Sequence, residues 1–234
     1  ATRNTIVGGL AGDALTTGGS NTAVGYGTLS TDTLGARNVA VGDVALTSQN
    51  FTTATNSFNT GIGYGAGNAV TTGQRNTLIG GSTGDALTDA DYNVAMGYNA
   101  LGGDTLGSRS TALGYYALAA QNFTTATDTY NTAVGFAAGE LITTGNQNTL
   151  IGGLAGDALT NSDRNVAVGY FALTTDTLGQ YNTAIGYGSL QTQNFTTATD
   201  SYNTAVGYGS GLSVTTGVQN TIVGGLAGDD LTTG

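Results

Sequence analysis

One short pattern of polar and apolar positions recurs along the whole chain: Asn, then Thr or Val, a small residue, a large aliphatic residue and Gly. It begins at Asn4, Asn21, Asn38, Asn59, Asn76, Asn93, Ser110, Asn131, Asn148, Asn165, Asn182, Asn203 and Asn220. Successive spacings are 17, 17, 21 and 17 before the cycle restarts. The array therefore has a strict super-repeat, marked by Asn4, Asn76, Asn148 and Asn220. The fourth position is always large and apolar, from Val7, Val24 and Val41 to Ile185, Val206 and Val223, and the third is mostly Ala. Such alternation is the period-2 signature of a strand with one buried face. The fourth position is expected inside, as an aliphatic ladder. No segment keeps a helical period over the ten or so residues a helix needs.

A unit of this length with short strands and glycine turns is one coil of a solenoid. The chain therefore predicts an all-β, parallel β-solenoid of about 13 coils of 17 or 21 residues, one continuous array over residues 1–234. Coils stacked at ~4.8 Å would give a rod on the order of 60 Å, with super-repeats ~19 Å apart. Aligned Asn amides can pass hydrogen bonds from coil to coil, as in cross-β stacks. The Gly of the fifth position, for example Gly25, Gly97, Gly135, Gly169 and Gly207, requires positive φ or a close backbone approach. Third-position Ala and fifth-position Gly share strand parity and make one face smooth, for tight packing within the coil or for a second chain.

Composition narrows the class. Gly is 40 of 234 residues, Pro and Cys are absent, and charged residues are only 9%. Collagen is excluded by the missing proline, and disorder by 39% apolar residues. Fifteen acidic residues against five basic ones give a net charge of −10, which argues against nucleic acid or anionic membrane as partner. No run approaches a membrane span. Without His, Cys or Lys, the common general bases and the thiol and amine nucleophiles are missing. No enzyme activity, cofactor or metal is expected.

The units Asn-Thr-Ala-Val-Gly-Tyr-Gly-Thr-Leu (21–29) and Asn-Val-Ala-Val-Gly-Tyr-Phe-Ala-Leu (165–173) resemble the head repeats of YadA-type trimeric autotransporter adhesins. Similar runs look like those of bacteriophage tail fibres. The resemblance covers essentially the whole chain. It implies a left-handed β-roll, three identical chains side by side, an extracellular, cell-surface or virion location, and attachment to surfaces.

Three sets of residues are candidates for binding. The four-residue insertions place Asn50, Phe51 and Thr52, then Asn122, Phe123 and Thr124, then Asn194, Phe195 and Thr196, on the longest coils. They are either an array of lateral tips that multiplies weak contacts or bulges whose Phe covers the core. The residue before each Asn forms a column that includes Arg75, Tyr92, Arg109, Tyr130, Arg164, Tyr181 and Tyr202. It is either a stacking stripe or a sugar-binding one. Tyr26, Tyr64, Tyr98, Tyr170, Tyr187 and Tyr208, after the Gly, allow the same two readings. A partial likeness to a calcium-binding nonapeptide around Asp13, Asp85, Asp157 and Asp229 fails on spacing, because calcium needs six to eight oxygens and these copies lie four coils apart. Glu140 beside Asp157 is the nearest approach to a glycosidase pair. Thr5, Thr22, Thr60, Thr77, Thr132 and Thr149 form a column with the parity of the fourth position. They are expected to point inward, which disfavours ice binding.

The reading is a structural and adhesive segment of an extracellular fibre, homotrimeric by resemblance. Its candidate receptors are a host-surface polysaccharide or protein. The alternative is a self-assembling filament or sheath with no receptor of its own. The first and last units share the letters Asn-Thr-Ile-Val-Gly-Gly, as expected of a window from a longer array.

Overall fold

A computed structural model describes residues 2–233 as an all-β parallel solenoid of about 13 turns, with no helix among the described residues. Its contacts fall into two compact units, Ala1–Ser110 with Asn122–Asp128, and Thr111–Gln121 with Thr129–Gly234. In the first unit six three-residue strands, from Thr5–Val7 to Val94–Met96, pair in parallel and in chain order. In the second, seven strands from Thr111–Leu113 to Thr221–Val223 do the same. Register sets like on like: Thr5 lies opposite Thr22, Ala167 opposite Ala184 and Val206 opposite Val223. Each long coil adds a two-residue parallel pair where its insertion ends, for example Gly35–Ala36 with Thr55–Asn56.

Numbering each coil from its Asn, the third position is inside and the fourth is outside. Ala23, Ala40, Leu78, Ala95, Leu150 and Ala184 have no exposed surface, whereas Ile62, Met96, Ile151 and Ile185 are 36–48% exposed. This corrects the expectation of an internal Val/Ile ladder. Period-2 alternation fixes which residues share a face but not which face is inside. The reason for the outcome is space. The inside of a coil is narrow, and position 3 shares it with position 9. In most coils where position 3 is Ala, position 9 is a buried Leu, as in Ala23/Leu29, Ala95/Leu101 and Ala167/Leu173. In the coils of Ala133/Gly139 and Ala205/Gly211 both are small, and the space at Gly139 is taken by Leu118 and Leu150 of the adjacent coils. Where position 3 is Leu, position 9 is Gly. A Cβ on Gly84 would sit 2.8 Å from Leu78 Cδ2, and one on Gly156 2.8 Å from Leu150 Cδ2. Large and small exchange places, within a coil or between adjacent coils, so that the interior is filled.

The same finding assigns the face of third-position Ala to packing within the coil rather than against a second chain. The Thr column is reversed with it and lies on the outside.

The buried Asn column locks the coils. The side-chain oxygen of Asn148 accepts the backbone N–H of Asn165 at 2.9 Å, and Asn165 accepts that of Asn182 at 2.9 Å. The Asn165 Nδ2 donates to the Gly179 carbonyl at 3.0 Å, closing its own coil. In the 17-residue coils such an amide ties two coils and spans one. In the long coils the Nδ2 of Asn38 and Asn182 donates instead to the preceding Asn Oδ1, at 3.2 and 3.1 Å. Ser110 fills the column once, where its N–H donates to Asn93 Oδ1 at 2.8 Å.

The fifth-position Gly meets both demands at once. Gly135 has φ +141°, and a Cβ there would lie 2.4 Å from the Gly152 carbonyl oxygen. Gly135→Val is expected to cost about 2–4 kcal/mol, combining backbone strain with overpacking, read as a lower thermal midpoint. Gly225, with open space around its Cβ position, is the control, and Gly225→Ala should leave the midpoint in place. Equal midpoints for the two variants would contradict this packing.

Candidate functional surfaces

The described residues enclose no cavity, so the candidates are surface columns. The broadest is the outer sheet face, with two parallel columns. Position 2 carries Thr, with Val39, Val94 and Val166 as the interruptions, and position 4 carries Val, Ile, Leu113 or Met96. The columns stand about 7 Å apart along the strand and repeat at ~4.8 Å between coils. This is a flat, β-branched surface with few polar groups.

The two edges of that face are different. On one edge, before each Asn, every residue from Arg3 to Gln219 is in the left-handed region, with φ between +50° and +65°, and none is Gly. For a side chain with a Cβ this backbone costs about 1–2 kcal/mol per residue. All five cations of the chain, Arg3, Arg37, Arg75, Arg109 and Arg164, stand in this column, and all are exposed. Their guanidinium groups lie over neighbouring rings: Arg37 over Phe58 at 5.4 Å, Arg75 and Arg109 over Tyr92 at 5.2 and 4.9 Å, and Arg164 over Tyr181 at 5.3 Å. Arg75 and Arg164 also donate to the hydroxyls of Tyr92 and Tyr181, each at 2.8 Å. Arg109 pairs with Asp128 at 2.9 Å. Tyr181 stacks on Tyr202 at 4.9 Å.

On the other edge, after the Gly, Tyr170, Tyr187 and Tyr208 stack in sequence at 5.9 and 5.2 Å, and Tyr115 stacks on Phe136 at 5.6 Å. These rings are about half exposed. Their faces cover one another along the stack, so they offer edges and hydroxyls outward rather than open faces on which a sugar could lie.

The long coils split the residues of each insertion. Phe51, Phe123 and Phe195 are only 5–7% exposed, so their rings belong to the core. Asn50, Thr52, Asn122, Thr124, Asn194 and Thr196 remain exposed, with Thr and Ala at the tips.

Beneath each insertion lies a polar group that the sequence reading missed. Asp32, Asp104 and Asp176 are fully buried. Asp176 Oδ1 accepts the N–H of Gly179 at 3.1 Å and of Phe195 at 3.0 Å, and Oδ2 accepts Gln193 Nε2 at 2.5 Å. The Gln193 oxygen in turn accepts Asn203 Nδ2 at 2.8 Å. Asp32, Gln49 and Asn59 repeat the arrangement. The carboxylate thus shapes the start of the insertion and connects it to the Asn column. The signal was present in the sequence. Asp32, Asp104 and Asp176 each stand one coil before a Gln (Gln49, Gln121 and Gln193), in a column that is otherwise Leu, Val or Ile.

The remaining acidic candidates do not converge. Among the described residues no group of three or more His, Cys, Asp or Glu is placed to hold a metal ion. Burial raises the Asp85 and Asp157 carboxyls above their ordinary range. Glu140 and Asp157 are neighbours in adjacent coils, joined by the Leu141 N–H to the Asp157 carbonyl at 3.0 Å, and nothing distinguishes a bond-breaking site there.

These columns define a parallel β-solenoid repeat protein. Compared with family models, curated proteins and solved structures, the chain gives no match.

The Asp–Gln–Asn chain has a fixed polarity. Asp176→Asn keeps the shape but sets an NH2 donor against the Gln193 donor, and flipping Gln193 only moves the conflict to Asn203. We expect a loss of about 1–3 kcal/mol in Asp176→Asn. Adding Gln193→Glu, which accepts from both neighbours, should restore most of it. Urea unfolding of the two single variants and the double variant measures this, and purely additive losses would contradict the network.

Proposed function

We propose that the chain is a structural and adhesive length of an extracellular fibre, built from three copies of itself lying side by side. The observation that carries this reading is the outer column of large aliphatic residues, with one on every coil. Isolated exposed apolar side chains are ordinary, but a contiguous apolar face marks an interaction site. A face that repeats coil by coil suits a partner with the same repeat, and another copy of the chain has it. The resemblance to YadA-type head repeats and phage tail-fibre repeats, with its left-handed roll and trimer, supports the same arrangement.

In this reading the solenoid supplies reach, and the exposed tips of the long coils recur once in each super-repeat as lateral sites for a surface polysaccharide or protein. Repetition turns weak single contacts into avidity. We assign the chain no catalytic role, because its super-repeats nearly copy one another and an enzyme site must differ from its surroundings. An open-ended filament or sheath is the alternative that uses the same face. The outward Thr column adds a second reading, an ice-binding face, since its hydroxyls and methyls form a regular flat lattice.

Solution mass separates these. The fibre reading predicts a discrete three-chain species, the filament reading an open series of masses, and the ice reading a single chain that shapes growing ice crystals. Ile151→Glu with Ile185→Glu should weaken association more than about tenfold, since a charge would be buried without a partner. The circular dichroism of the coils should stay unchanged, because both side chains point outward. A monomeric parent protein would reject the fibre reading.

A further inference from the structure

We infer that the two edges of the outer face meet between neighbouring copies, the column before Asn of one chain against the column after Gly of the next, level by level. The inference rests on the self-association reading and adds its geometry: a parallel, cyclic, in-register seam in which unlike edges pair.

Three observations carry it. The first is the strained edge. All thirteen residues before Asn hold positive φ without a single Gly, although Gly would adopt that backbone at no steric cost. The other two left-handed corners mix Gly with side chains, Gly27, Gly65, Gly188 and Gly209 with Leu10, Tyr116 and Phe171 at one, and Gly12, Gly67, Gly84 and Gly139 with Leu29, Leu46 and Leu101 at the other. A corner that never takes Gly, where both of the others do, points to a use for its side chains.

The second is matching across the face. Wherever the residue before Asn is aromatic (Phe58, Tyr92, Tyr130, Tyr181, Tyr202), the residue after Gly at that level is aromatic too: Tyr64, Tyr98, Phe136, Tyr187 and Tyr208. Where the second column has Gly, at Gly9, Gly81, Gly153 and Gly225, the first has long, flexible Arg3, Arg75, Gln147 and Gln219. The one acidic residue of the second column, Asp43, stands at the level of Arg37. Aromatic meets aromatic, long meets small and cation meets anion at ten of the thirteen levels, and Ser20, Arg109 and Arg164 share theirs with Tyr26, Tyr115 and Tyr170.

The third is separation. The two positions are six residues apart along an extended segment, up to roughly 20 Å, with the strand between them. Stacking runs along each column, as in Tyr181–Tyr202 on one edge and Tyr187–Tyr208 on the other. Matching between edges so far apart makes sense when they meet on different copies. A rotation axis parallel to the coil stack does this, because it keeps every level at one height and brings unlike edges together. A two-fold axis across the stack would instead pair levels in opposite order.

The chain has no Cys, so introduced thiols report contacts without background. Ser20→Cys with Tyr26→Cys puts thiols on both edges of one level. Ser20→Cys with Tyr98→Cys offsets them by four coils, about 19 Å. With a short bis-maleimide, the same-level pair should convert most of the protein to a closed three-chain product on denaturing gels. The offset pair and Ser20→Cys alone should stay as single chains, and Tyr92→Cys with Tyr98→Cys should reproduce the same-level result. Mass in solution is measured on the same samples. If the samples are multimeric but the same-level pairs do not cross-link, or Ser20→Cys alone does, the seam is wrong while self-association stands. If they are monomeric, the underlying reading fails and the seam falls with it.

Discussion

The structure depends on a buried amide that cannot be left unsatisfied. From Asn21 to Asn203 the Asn at the start of a strand is taken out of water, and its side-chain oxygen accepts a backbone N–H of the next coil. Its NH2 closes its own coil or, at Asn38 and Asn182, donates to the Asn before it. A buried amide without partners costs several kcal/mol, so slipping one coil against the next by even one residue would break every bond in the column together. That penalty fixes register, and register puts Ala over Ala, Gly over Gly and Val over Ile. The fifth-position Gly completes the constraint, because the carbonyl of the following coil occupies the space a side chain would need.

Thin coils have consequences for the surface. With little room inside, Ala, Leu and Gly trade places in most coils, and the β-branched residues of positions 2 and 4 are left outside. The backbone turns corners through left-handed residues, and at one of them it carries Arg, Tyr, Phe and Gln rather than Gly. A narrow interior and a costly corner thus produce an apolar face bordered by two aromatic edges. The polar break in the otherwise apolar column of Leu, Val and Ile, Asp176 with Gln193 and its counterparts, serves the insertion: it takes up the N–H groups that the widened coil would otherwise strand.

The architecture was legible in the chain. Thirteen copies of one unit in a strict super-repeat leave few folds that stack like on like, and the Asn and Gly columns announced themselves by identity. Parity was not legible. Alternation at Thr22, Ala23 and Val24 shows that Ala23 faces away from its neighbours, and residue size suggested that Val24 was inside. Only the cross-section of the coil, where Ala23 meets Leu29, decides it. The ring of Phe51 allowed two readings, and burial chose the core. Asp32 and Gln49 were passed over because each looks like an ordinary surface residue until the coils are stacked and their column proves to be internal.

The most direct measurement of in-register stacking is diffraction from an aligned specimen. Coils paired backbone to backbone along one axis predict a strong meridional reflection at about 4.8 Å. Absence of that reflection, or in its place the longer repeat set by the pitch of a helix, would contradict the account.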